Sequence, residues 1–219
     1  MKKYKILILI MFFLSIFVFE KVNASFKDLP LLGKIIYLDA GHGGKDCGAI
    51  SGNIMEKNLN LSIVKKLANK LGEKGAIVLL TRDTDKDLAS KYASNRKRSD
   101  LTNRAMLINK SKANLYISIH MNSTTNSSWR GLQIFYNSKN KENLNFAKIM
   151  NDTIKKKMST VREIKKENNY YMYKQIRTTG ILIEAGFLSN PSDLYLLKQD
   201  KYQEKLSSII TEGVVNYYK

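Results

Sequence analysis

Four short runs of the chain are apolar on both faces of an extended strand: KIIYLD (34–39), AIVLLT (76–81), NLYISIH (114–120) and GILIEA (180–185). Such strands must be covered on both sides, as in a parallel sheet with helices packed above and below it. LQIFYN (132–137) reads as a fifth strand. The segments between them have helical spacing. Over 56–74, Leu59, Ile63, Leu67 and Leu71 recur every four residues and Gly75 supplies the stop. Residues 101–110, 141–158 and 203–218 carry similar periodicity. The expectation is one α/β domain, a twisted and mainly parallel sheet flanked by helices.

A chain of 219 residues can bury a core of that size. Residues 83–99 are polar and apolar-poor and read as a surface loop; 161–179, rich in Lys, Asn and Tyr, are placed to frame a groove. No repeat, linker or appended binding module is expected. Cys47 is the single cysteine, which excludes an internal disulfide. Lys2, Lys3 and Lys5 precede an apolar run of 14 residues over 6–19, and VNAS offers a cleavage point after Ala24. The run is shorter than the roughly 17–25 residues of a spanning helix. Residues 1–24 are therefore expected to be a signal peptide or, failing cleavage, an N-terminal membrane anchor. Residues 25–219 would then work outside the cytoplasmic membrane, touching it only through that segment. The formal charge of +18 attracts polyanions. An exported chain without nucleic-acid-binding signatures points away from nucleic acid and toward an anionic wall polymer or membrane face.

The chain has two histidines. His42 stands three residues beyond the first strand, inside the glycine-rich AGHGGKDCGAISG; His120 closes another strand, and Glu184 lies at the carboxyl end of a third. Ligands of open parallel α/β sheets bind beyond those carboxyl ends, so the three residues share one edge. Two imidazoles and a carboxylate with one open position make a catalytic Zn2+ site, and the glycines would let the His42 loop fold around the ion. Glu56, opening the next helix, is the candidate third ligand. It is equally the partner of Asn53 in a capping box, NIME, and spacing leaves both open. Glu184, between ILI and AGF, is poorly solvated; that raises its pKa and suits it to act as general base, or else it is a structural carboxylate paired with Arg or Lys.

IYLDAGHGGKDCGAI, EKNLNL, SIHMN and ILIEAGFLSNPSD resemble, in order and spacing, the zinc-dependent N-acetylmuramoyl-L-alanine amidases, over about 34–218. The short N-terminus, TRDTDKDLA and KYQEKLSSII are similar to the germination-specific branch of spore-formers. The resemblance implies an exported α/β enzyme that cuts peptidoglycan. It implies His42, Glu56 and His120 as zinc ligands and Glu184 as the catalytic glutamate. It places Asn122 either in the substrate groove or in a turn. Arg104 is a candidate for a substrate carboxylate, though a helix-surface salt bridge is the better expectation. Alanine stands where the family often has proline before the glycine, and in EAGF where valine is common. The implied reaction is hydrolysis between N-acetylmuramic acid and L-alanine, with muramic lactam formation in spore cortex as the setting; a wall-cutting enzyme without targeting repeats is expected to need an accessory regulatory protein as partner. A zinc peptidase cutting within the stem peptide and a non-catalytic wall-binding protein are the alternatives.

Overall fold

The apolar runs occupy the middle of a six-stranded sheet. The computed structural model describes residues 29–219 together with Met11, Phe12 and Leu14; the expected signal segment, 1–24, lies outside the described residues apart from those three. In chain order the strands are β1 (Ile35–Ala40), β2 (Ile50–Ser51), β3 (Ile54–Met55), β4 (Ile77–Leu80), β5 (Leu115–Asn122), β6 (Gln133–Tyr136), β7 (Lys165–Lys166) and β8 (Gly180–Phe187). The sheet order is β4-β1-β5-β8-β6-β7, with β2 and β3 forming a separate hairpin. All neighbours in the six-stranded sheet pair in parallel except β6 with β8. This is the expected mainly parallel α/β architecture.

Among the described residues five helices cover the sheet: α1 (Glu56–Glu73), α2 (Arg96–Lys110), α3 (Lys141–Lys155), α4 (Pro191–Leu197) and α5 (Asp200–Tyr217). Among the described residues no helix is long and apolar enough to cross a membrane. Because side chains alternate along a strand, each central strand contributes to two different layers. Ile36, Leu38, Ile117, Ile119, Ile181 and Ile183 join the larger core, which α1, α3 and α5 close. Tyr37, Tyr116 and Leu182 face the other way, into a smaller cluster with Ala105 and Ile108 of α2 and with Met172 and Tyr173. Asp39, Ser118, His120 and Glu184 have the same parity, so the polar residues collect toward the carboxyl ends on the thinly covered side.

Helix starts differ from the periodicity where an asparagine caps them. Asn95 accepts from the Arg98 amide, so α2 begins five residues before the expected 101 and the 83–99 excursion ends early. Its first turns looked like a loop because its inward side is ionic, Asp100 and Arg104, rather than apolar. Asn190 with Pro191 starts the unexpected α4. Helix α5 begins at Asp200 rather than 203, and α3 ends at Lys155 rather than 158.

Arg104 is not on the helix surface as expected. It is 1% exposed, with Nη1 2.7 Å from Asp39 Oδ1 and Nε 2.8 Å from Asp100 Oδ2. Asp39 also accepts from Thr81 Oγ1 and Ser118 Oγ, and Tyr173 donates to Ser118. Burial alone would push the Asp39 carboxyl up, yet the Arg104 guanidinium, His120 and the Ser118 hydrogen bond together outweigh it and hold the group below its ordinary value. Removing one partner of a buried pair leaves the other charge uncompensated. Arg104→Met is therefore expected to cost about 3–5 kcal/mol in urea unfolding of metal-free protein. Lys66→Met breaks a pair whose Asp200 side chain is 81% exposed and should cost at most about 1 kcal/mol.

Candidate metal centre and catalytic cavity

The loop after β1 is bent by residues in the left-handed region: His42 at φ 62°, Gly44 at 54° and Gly48 at 66°. A non-glycine residue rarely holds that conformation unless neighbours impose it. Here Arg104 Nη2 donates to the His42 carbonyl at 2.5 Å, and Gly43 and Asp46 exchange backbone hydrogen bonds. Arg82, 1% exposed, donates to the carbonyls of Ala40, Gly41 and Lys57. Two glycines leave room for side chains. A Cβ on Gly41 would lie 2.2 Å from His120 Cε1, and one on Gly48 would lie 2.5 Å from Glu56 Oε2.

Glu56 is the first residue of α1 and 3% exposed. The capping box is not formed: Met55 occupies the N-cap position without a side-chain cap, and Asn53 is exposed. The Glu56 carboxylate instead accepts from the amides of Ala49 and Met121, at 2.9 and 3.0 Å. Those bonds turn it toward the histidines, with Oε2 3.1 Å from His42 Nε2 and Oε1 3.0 Å from His120 Nδ1. One donor atom from each of the three residues lies within 4.8 Å of the others. The His42 and His120 rings stand edge to face, centroids 4.9 Å apart.

Asp46, which sequence reading missed, accepts from the other ring nitrogen of His42 at 2.8 Å and from the Gly48 amide. Its only signal was a carboxylate four residues past a histidine in a glycine loop. This carboxylate–imidazole pairing sets the tautomer that leaves Nε2 free to bind a metal. Burial pulls the His42 pKa down, but the hydrogen bonds its ring donates to Asp46 and Glu56 prevail and raise it to about 9. The hydrogen bond with His42 likewise holds Asp46 down to about 2. Burial pushes Glu56 up, and both histidines more than reverse that, so it lies well below the ordinary carboxylate range. A metal entering this site displaces the His42 proton.

Glu184 on β8 pairs in register with His120 on β5. Burial pushes its pKa up to about 7, and its Oε2 is buried without a hydrogen-bond partner among the described residues. It opens with both histidines into a cavity of about 500 Å³. One wall is α2, through Lys97 and Leu101; the other is the segment 169–173, carrying Tyr170, Met172 and Tyr173. Residues from 161–179 thus border a groove, as expected. Tyr171 ties the segment to α2, its hydroxyl 3.0 Å from Arg98 Nε and 3.1 Å from Thr102 Oγ1. Asn122 does not line the cavity; its Oδ1 accepts from the Ser123 amide. Arg104 reaches the cavity edge, but Asp39, Asp100 and two loop carbonyls occupy its donors.

The sequence profile of the family described as N-acetylmuramoyl-L-alanine amidase matches residues 36–216. The germination-specific N-acetylmuramoyl-L-alanine amidase of Bacillus subtilis (strain 168) is 45% identical over 202 residues, covering 90% of this chain and 85% of that protein. The CwlD amidase from Clostridioides difficile, solved in complex with the GerS lipoprotein, superposes with a TM-score of 0.80 at 34% identity over 84% of this chain and 98% of that one. An N-acetylmuramoyl-L-alanine amidase from Clostridium difficile 630 gives 0.74 at 36% identity, over 84% and 96%.

The glycine geometry separates two substitutions. Gly41→Ala drives a methyl into the His120 ring, so metal affinity measured by chelator competition is expected to fall at least as far as the roughly 10–100-fold seen on disturbing groups behind a ligand. Gly52, at φ 59°, has open space around its Cβ position. Gly52→Ala should cost about 1–2 kcal/mol in backbone strain and leave metal affinity unchanged.

Proposed function

Since this chain belongs to the N-acetylmuramoyl-L-alanine amidase family, we propose that it hydrolyses the muramyl–alanine amide of peptidoglycan with zinc held by His42, Glu56 and His120 and with Glu184 as general base. The observation that carries this reading is one cavity lined by His42, His120 and a buried Glu184 with an unpartnered oxygen, with Glu56 converging on both histidines. The donors fit the ion: two imidazoles and one carboxylate are a set that zinc takes while keeping a position open. Zinc bound there supplies Lewis acidity, polarising the scissile carbonyl and making water a better nucleophile.

The chain's own residues do the rest. Asp46 fixes His42 in the ligating tautomer, and the amides of Ala49 and Met121 keep the Glu56 carboxylate aimed. Glu184 takes a proton from the attacking water and delivers it to the leaving nitrogen of L-alanine. Burial raises its proton affinity, which suits one carboxyl both to accept and to release that proton. The germination-specific relative supports a role in spore cortex, where the stripped muramic acid precedes the lactam. The lipoprotein in the CwlD structure supports an accessory partner. The basic and apolar 1–24 segment supports export, with residues 25–219 as the catalytic part.

The test is digestion of cortex and vegetative peptidoglycan by the zinc-loaded chain. New N-terminal L-alanine is expected; new termini from inside the stem peptide, or none, would overturn the reading. Glu184→Gln should retain one zinc yet lose activity by roughly 10²–10⁴-fold. Glu56→Ala should lose the zinc itself, read as metal content after dialysis. The pKa of Glu184 also predicts a stability slope. Between its ordinary 4.5 and about 7 the folded chain holds a proton that the unfolded chain has released, so this group's contribution to stability falls as pH rises. Denaturant unfolding of metal-free wild type and Glu184→Gln across that window should show the difference.

A further inference from the structure

The cavity is electrically lopsided. Toward 169–173 it is aromatic and apolar. At the other end, past Asp46, it adjoins a smaller depression of about 160 Å³ lined by Lys45, Asp87, Arg96 and Lys97. The carboxylates there are committed: Asp46 to His42 and Gly48, Asp87 to Arg96, and Asp100 to Arg104 and the Leu88 amide. Among the described residues Lys97 and Lys45 have no carboxylate within ion-pair distance. Lys97 borders both spaces. Lys97 acts on Asp46 through space without pairing with it, so this end presents two exposed ammonium groups outside any ion pair.

The substrate is lopsided in the same way. On the acyl side of the scissile amide lies an N-acetylated sugar without charge. On the amine side L-alanine is followed by a D-glutamyl residue linked through its side chain, leaving its α-carboxyl free unless amidated. We infer that Lys97 binds this carboxylate, with Lys45 beside it, so that the stem peptide runs over Asp46 toward α2 and the glycan lies toward Tyr170. The inference rests on the amidase reading and adds a specificity: Lys97 makes the enzyme sense whether the glutamyl carboxyl is free or amidated.

Two disaccharide-peptide substrates, identical except for a free or amidated glutamyl α-carboxyl, test this with zinc-loaded protein. Wild type should favour the free acid, and Lys97→Met should erase the preference by raising KM for the acid about tenfold, the scale of a hydrogen bond to a charged group. Lys97→Arg should restore most of it. Zinc content and melting temperature should stay at wild-type values in both variants, since Lys97 touches neither ligand nor core. A Lys97→Met enzyme that keeps the preference, or slows equally on both substrates, would overturn the assignment. Wild type cutting neither substrate would instead remove the amidase reading and this inference with it.

Discussion

Two buried arginines hold the site in place. Arg82 and Arg104 come from different segments and converge on the carbonyls of Ala40, Gly41 and His42, where β1 gives way to the glycine loop. Carbonyls released from a sheet edge into a buried turn need donors, and a guanidinium supplies several in a fixed plane. Arg104 is held in this position by Asp100 within α2 and by Asp39, which links β1 to α2. Arg82 has no such carboxylate; its donors end on backbone oxygens, including Thr84, and burial lowers its pKa. The left-handed backbone at His42 is thus imposed by charge buried beneath it. This lets an imidazole rather than a glycine occupy a position of that strain.

Three groups of the site, His42, Glu56 and Glu184, lie away from their ordinary proton affinity. Asp46 and Glu56 hold His42 basic and the two histidines hold Glu56 acidic, while Glu184, lacking a hydrogen-bond donor at Oε2, is displaced upward by burial. The contrast between the two glutamates is one of neighbours. Glu56 accepts from backbone amides and faces both rings; Glu184 opens onto the cavity. One is suited to remain a carboxylate beside a dication and the other to exchange a proton near neutrality.

Much of this was legible in the sequence. Runs apolar on both faces identified the central strands, and their carboxyl ends put His42, His120 and Glu184 along one edge of the sheet. The start of α2 was not legible, because amphipathic periodicity registers apolar inward faces and this helix buries an ion pair. The choice between cap and ligand for Glu56 was not legible from NIME either. Ala49 and Met121, remote in the chain or across a turn, supply the donors that decide its direction, and local spacing does not encode them. Asp46 and Arg82 stayed hidden for the same reason: each is a common polar residue until the fold shows what it touches.

The segment 169–173 forms one wall of the cavity, yet it is fastened to α2 largely by side chains, through Tyr171 with Arg98 and Thr102, and Asn109 with Gln175 and Arg177. The zinc candidates sit on β5, α1 and the loop after β1, none of which the segment supplies. Met172 and Tyr173 of this wall belong to the smaller core and Tyr173 donates to Ser118, so only its exposed positions, Tyr170 among them, can change without disturbing the core. Drift in those few positions can move the molecule from one wall polymer to another while the hydrolytic apparatus is inherited whole.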